Sequence, residues 1–268
     1  MAIHQSWTGS ISFGLVTIPV KLYSTSENKE LSFNQLCPNG HKIIYRRWCP
    51  VEEKEIPYGQ IKKGYRAGKE GYVVFEKNDL EKIKLKTTKS IDIREFVDAT
   101  ELDPILIEDS YYVAPAIKKG GGNKAYQLLS KVLSESQQIA VGKIILRYKE
   151  NIVALRPYQR GLVMHILKYL DEIKPPDEIP ELSEITKHKI QLDAEEISLA
   201  KTLVEKMSNK ALDLTEYSDS YSKELRRVIE AKIKGKPIVN KDEPKPKNPP
   251  ADLLEALKAS MQAEKFKK

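Results

Sequence analysis

Cysteine is almost missing from this chain: Cys37 and Cys49 are the only two in 268 residues. That is too few for a disulfide framework and fits a reducing compartment. No apolar run approaches the roughly 18 residues that a membrane-spanning helix needs, and no basic stretch followed by an apolar one opens the chain. An intracellular protein with no membrane partner is expected. The four histidines, His4, His41, His165 and His188, sit in unrelated contexts, so no catalytic constellation forms around them. Lys118-Lys-Gly-Gly-Gly122 is glycine-rich but lacks the Gly-Lys-Ser/Thr order that cradles phosphates. No recognition-helix or zinc-finger pattern suggests reading of bases. A non-enzyme without cofactor is expected.

One stretch lacks a whole sign of charge. Residues 95–116 hold six acids and no base, within a chain whose net charge is +7. Its neighbours are basic: 14 Lys/Arg against 8 Asp/Glu over 41–94, and nine against two over 117–160. Residues 161–199 turn acidic again, with four bases and nine acids. Any one such block reads as a solvated face. Two basic blocks flanking an acidic one let one surface attract a polyanion while another repels it, which favours a single orientation.

The hydrophobic pattern is mostly that of strands. In Trp7–Tyr23, Ile11 and Phe13 alternate with Ser10 and Ser12, Gly14 marks a bend, and Pro19 removes a ladder donor at an expected edge or bulge. This reads as a bent β-element opening a barrel-like sheet. Lys42–Trp48 has no clean apolar face and reads as an exposed ribbon. A hairpin-like passage leads into Tyr72–Phe75, and Asp79–Lys84 reads as a short helix. Further strands are expected at 91–97, 111–113, 143–156 and 162–167, with a helix between them whose stripe is Ala125, Leu128, Leu129, Val132 and Leu133. Lys143, Ile145 and Arg147 share one face opposite Ile144 and Leu146, as in a sheet with an apolar rear and a cationic front. Past a Pro- and acid-rich linker at 174–180, Asp193-x-x-Glu196 is a capping box, and Asp213-x-x-Glu216 precedes a second helix ending before Gly235. These helices carry single apolar stripes, so they need the barrel or a second copy to pack on. Residues 236–250 read as a linker, and 251–266 as a short amphipathic helix.

Trp7-x-Gly9-Ser-Ile-Ser-Phe-Gly-Leu-Val-x-Ile-Pro-Val-Lys-Leu-Tyr23 resembles the opening of the bacterial Ku proteins, the DNA-end-binding factors of non-homologous end joining. The likeness continues through Pro57-Tyr58, Lys63-Gly-Tyr65, Tyr72-Val-Val, Phe96-Val-Asp98, Asp103-Pro-Ile105, Tyr111-Tyr-Val-Ala-Pro115, Lys124-Ala-Tyr-x-Leu-Leu129, Leu155-Arg-Pro157 and Asp219-x-Tyr221. It covers about the first 235 residues in unbroken order. The resemblance implies a β-rich α+β fold: a Ku-type β-barrel core over 1–190, with a DNA-encircling bridge inserted at about 31–95. A helical dimerisation or packing segment over 191–236 and a flexible tail over 237–268 would follow. It further implies a homodimer, double-stranded DNA ends as ligand, an ATP-dependent DNA ligase as partner, and a cytoplasmic, nucleoid-associated location.

The residues expected to contact phosphate are Arg46, Arg47, Lys62, Lys63, Arg66, Lys143, Arg147 and Arg156. Neutralising Z phosphates releases condensed counterions and gives a salt slope of about −0.9Z, strong but blind to sequence. Phosphate contacts alone do not distinguish an end from an interior site. A closed ring does, because duplex enters it only by threading over a terminus, and two copies each giving half the ring solve the geometry with C2 symmetry. Tyr and Trp read as sparse within the basic blocks, which disfavours stacking of single strands. Cys37-x3-His41-x7-Cys49-x2-Glu52 resembles a place where some Ku relatives carry a fuller Cys/His set. Glu52 stands where a last cysteine would be, so only two soft ligands remain and ribbon packing is expected in place of metal. The rival readings are a general basic RNA- or chromatin-binding protein and a metal-assisted nuclease built on that quartet.

Overall fold

In the computed structural model the chain falls into two compact units, residues 1–174 and 175–268. The structure describes residues 4–68, 71–76, 79, 82, 89–116, 122–146, 148–187, 190–237 and 253–263. The first unit is built on a closed seven-stranded barrel. Its strands are β1 (Gln5–Phe13), β2 (Val16–Ser24), β7 (Ser90–Asp98), β8 (Ile107–Pro115), β9 (Gln138–Leu146), β10 (Lys149–Tyr158) and β11 (Gly161–Leu167). Around the barrel the order is β1-β2-β8-β11-β10-β9-β7. All neighbours are antiparallel except β1 and β7, whose parallel seam pairs Ser10 with Ser90 and Ile11 with Ile91.

The opening stretch is a hairpin rather than one bent strand. Phe13 pairs with Val16, leaving the two-residue turn Gly14–Leu15, and Gly14 adopts φ +54°, a conformation that costs glycine nothing. Pro19 sits where the β2–β8 ladder stops. The last pair is Val20 with Pro115, and the Pro19 carbonyl accepts the Ala116 amide at 2.9 Å. At the seam, a Cβ on Gly9 would collide with the Lys89 carbonyl oxygen and the Trp7 indole. Glycine is required there for close approach of two backbones.

Alternation sends Ile11, Ile18, Val20, Leu22, Ile91, Val153, Leu155 and Met164 into the barrel, all essentially fully buried. Burying each such side chain contributes roughly 1.5–3 kcal/mol. Helix α1 (Gly122–Ser136) adds Tyr126, Leu129 and Leu133 to the same cluster. The buried stripe is rotated from the sequence expectation, because Leu128 and Val132 face solvent while Tyr126 turns inward. The reason is the phenol. It donates to the Val113 carbonyl and accepts the Leu162 amide at 2.8 Å, satisfying two backbone groups where β8 meets β11.

The outer wall is not uniformly wet. Ile139, Ala154 and Leu167 form a second buried cluster with Leu102, Leu106, Ile107 and Ile152 packed on it. The covering segment comes from the purely acidic stretch. Two single 3-10 turns, Ala99–Glu101 and Pro104–Leu106, are capped by Asp98 and Asp103, whose carboxylates accept the Thr100 and Ile105 amides at 2.9 and 3.0 Å. It covers the outer face of β11 at Leu167, in a strand buried from Leu162 to Leu167.

The second unit holds α2 (Pro180–Lys187), α3 (Ala194–Met207), α4 (Ser220–Ile233) and α5 (Leu253–Ala263). The Asp193/Glu196 capping box opens α3 as expected. The cap of α4 is Asp219, which accepts the Ser222 amide, whereas Asp213 closes a separate 3-10 turn, Leu214–Glu216. Helix α5 packs on α3, with Lys258 Nζ 3.4 Å from Glu195. No residue of α3 or α4 is buried.

Candidate nucleic-acid interface

Between β2 and β7 the chain leaves the barrel and forms an arm of two short ribbons. β3 (Trp48–Cys49) pairs with β4 (Lys54–Glu55), and β5 (Lys63–Arg66) pairs with β6 (Tyr72–Phe75). No described residue from 23 to 89 is buried. Two-stranded ribbons this short have nothing to pack on, and even the apolar strand β6 stays largely exposed. The expected helix at 79–84 lies largely outside the described residues.

Five of the eight expected phosphate contacts lie on this arm. Arg46 is 3.6 Å from Glu55, and Lys62 is 3.7 Å from Glu76. Both pairs are well over half exposed on the cation side, and such pairs are worth about 0–1 kcal/mol, so an anionic ligand would displace the carboxylate at little cost. Arg47 stacks its guanidinium 4.9 Å from the Tyr58 ring centre. Lys63 and Arg66 make no ion pair among the described residues and, three apart on one strand, point to opposite faces. Arg47 and Lys62 converge on one hollow of about 570 Å³, lined also by Trp48 and Lys54. Lys54, 2.5 Å from Glu52, is a cation the sequence reading passed over. The aromatics are denser than that reading allowed. Tyr45, Trp48, Tyr58, Tyr65 and Tyr72 are all 59–77% exposed on the arm. No described residue of the arm is buried, so these rings have no core to enter.

Two of the remaining three belong to the barrel wall. Lys143 and Arg156 are both on its outer face: Lys143 opposite Ile152, and Arg156 four residues further along β10, about 13 Å away along the strand. Lys143 is held 3.2 Å from Glu150. Arg156 is half-buried and donates from Nε to Nε2 of His165 at 2.8 Å. Arg147 lies outside the described residues. The expected cationic front is therefore interrupted, because Ile152 and its neighbours are roofed by the 99–107 segment.

The Cys/His quartet comes apart into its members. Cys37 Sγ lies 3.5 Å from His41 Nδ1, inside a turn closed by the Cys37 amide on the His41 carbonyl at 2.8 Å. Cys49 and Glu52 line the hollow instead. Among the described residues no three His, Cys, Asp or Glu side chains gather as a metal site.

A family model described as the Ku70/Ku80 β-barrel domain matches residues 12–214, three-quarters of the chain. The chain belongs to the Ku family. It is 43% identical to the non-homologous end joining protein Ku of Archaeoglobus fulgidus over 264 residues, covering 98% of this chain and 100% of that one. It is 36% identical to the proteins of the same name from Heliobacterium modesticaldum and Symbiobacterium thermophilum, again over 98% of this chain. Those alignments cover 92% and 63% of the respective relatives. The matched region takes in the Ku barrel from the end of β1 onward, the whole arm, α2 and α3.

Proposed function

We propose that this Ku protein binds double-stranded DNA ends without regard to sequence, as a homodimer whose two barrels and arms ring the duplex. The observation that carries this is the arm: a coreless insertion studded with cations, on a chain whose Ku barrel is complete without it. A ring explains the preference for ends, and the exposed cations explain the indifference to sequence.

Dimerisation has its own support. Among the described residues of the helical unit, Ile190, Leu192, Leu212, Tyr217, Tyr221 and Ile233 are each exposed, far more apolar surface than a small helical unit leaves in water. A second copy is the occupant that C2 symmetry supplies. The protein does no chemistry of its own on this reading. It holds ends and recruits and stimulates an ATP-dependent DNA ligase. No helix among the described residues is long and apolar enough to cross a membrane.

Competition between linear and covalently closed duplex of equal sequence tests the reading. Linear DNA should win by a wide margin, whereas equal competition would leave a general basic nucleic-acid binder. Removing residues 241–268 should spare end binding and lower ligase stimulation. A monomer in sedimentation would instead make that tail structural.

A further inference from the structure

His165 is 5% exposed on the outer face of β11, and both its ring nitrogens are engaged. Arg156 Nε lies 2.8 Å from Nε2, and Ser110 Oγ lies 2.8 Å from Nδ1. Arginine can only donate, so Nε2 is the acceptor, the ring is neutral, and Nδ1–H donates to the serine oxygen. The register builds this chain of contacts. His165 faces Ser110 across β8 and Ala154 across β10, with Arg156 one outward step along β10.

Val163 and Leu167, the outward residues on either side, are buried apolar side chains, and burying an imidazole is costly unless both nitrogens find partners. What it fixes is the guanidinium. Nε is committed to His165, Nη1 donates to the Pro157 carbonyl at 3.4 Å, and the plane lies 5.4 Å from the Tyr158 ring centre. Tyr158 in turn packs against Tyr112, ring centres 6.1 Å apart. Nη2 has no partner among the described residues, and Arg156 makes no ion pair there. A planar guanidinium held on three sides with one edge open is prepared for an oxyanion acceptor.

We propose that His165 is the positioning residue for Arg156, holding the guanidinium so that its open edge meets a backbone phosphate of the bound duplex. This rests on the DNA-binding reading above and names how one cation of the wall is set for it. Protonating His165 removes the acceptor and places a second positive charge against the first, so acid releases Arg156 and the phosphate contact with it. The groups facing the ring are Arg156 from β10, and Ser110 and Tyr112 from β8. Asp109, the adjacent carboxylate on β8, is turned to the Ser110 amide at 2.7 Å. The cluster beside it on the wall supplies only apolar side chains, Leu102, Leu106 and Leu167. Burial, and then the charge of Arg156, hold the imidazole below its ordinary 6.5.

The test measures the salt slope of binding to an end-labelled linear duplex at pH 7.5 and 5.5. At pH 7.5, Arg156→Ala should flatten the slope by about 0.9, the loss of one phosphate. His165→Leu should match it, although Leu touches no DNA. His165→Gln, whose side-chain oxygen can accept from Nε, should recover most of the slope lost with Leu and hold it at pH 5.5, where the wild-type slope flattens. Should the Leu variant fail to fold by near-ultraviolet circular dichroism, the Gln variant and the wild-type pH profile decide alone. An unchanged slope in Arg156→Ala, no recovery with Gln, or a wild-type slope that steepens in acid overturns the proposal. The preference of the wild-type protein for linear over closed DNA, measured alongside, would survive each of those failures and so separates them from failure of the end-binding reading itself.

Discussion

The barrel and the arm are continuous chain, yet they treat apolar residues in opposite ways. In the barrel, alternation is strict enough that Ile11, Val20, Ile91 and Leu155 are sealed from water. In the arm, Tyr45, Val51, Tyr65 and Val74 remain in solvent, and cations interleave with them. Stability in the first is intramolecular and complete. The second is organised by its turns and ladders and, on the proposed reading, finds its remaining contacts in DNA or another copy. A segment can thus be ordered without a core when its purpose is to be covered later.

That contrast can be broken by substitution. The largest expected effect is Leu155→Ala, a buried truncation costing about 3 kcal/mol in denaturant unfolding. Val51→Ser, at an arm position 89% exposed, should stay within about 0.5 kcal/mol. Equal effects would mean that the arm is part of the core. Tyr126→Phe is next. It strands the Leu162 amide and the Val113 carbonyl and should cost about 1–3 kcal/mol without touching DNA affinity. The arm gives the mirror image. Charge reversal at Arg46 and Arg47 should leave unfolding nearly unchanged, yet weaken duplex binding and flatten its salt slope by about 1.8, two phosphates at about 0.9 each. Unchanged affinity would remove both from the interface.

The smallest effect is on pH. His165 has a folded-state pKa below its ordinary 6.5, through burial and the Arg156 charge. The unfolded chain therefore binds its proton first. The stability due to the neutral ring is fully present above pH 6.5 and is lost as pH falls from there through the folded-state value. Melting temperature should decline over that window, and His165→Gln should remove that part of the decline.

What was legible in the sequence was local. Period-2 alternation located strands such as β1 and β7, which bury one face; β11, buried on both faces, carries no such alternation. The Asp193/Glu196 box located α3, because capping is settled within four residues. Errors arose where distant partners decide. The face of α1 turned on hydrogen bonds from Tyr126 to β8 and β11, and the roof over the outer wall turned on a loop within a stretch whose acids advertised solvent. Cap choice at α4 was ambiguous because Asp213 and Asp219 both precede helix-forming residues, and only one begins a full turn. On the arm, residue type and charge blocks marked cations that the structure leaves exposed. The tie between Arg156 and His165 crosses two strands nine residues apart, and no spacing rule announces it.

The central claim, that duplex passes through a ring, is tested most directly by trapping. The protein would be loaded on a linear duplex whose two ends are afterwards blocked by bulky groups, then challenged with high salt. A threaded ring should stay bound until the duplex is cut between the blocks and should then be released. Loss of the protein in salt while both ends are still blocked would contradict enclosure, leaving the arm cations as an open electrostatic surface.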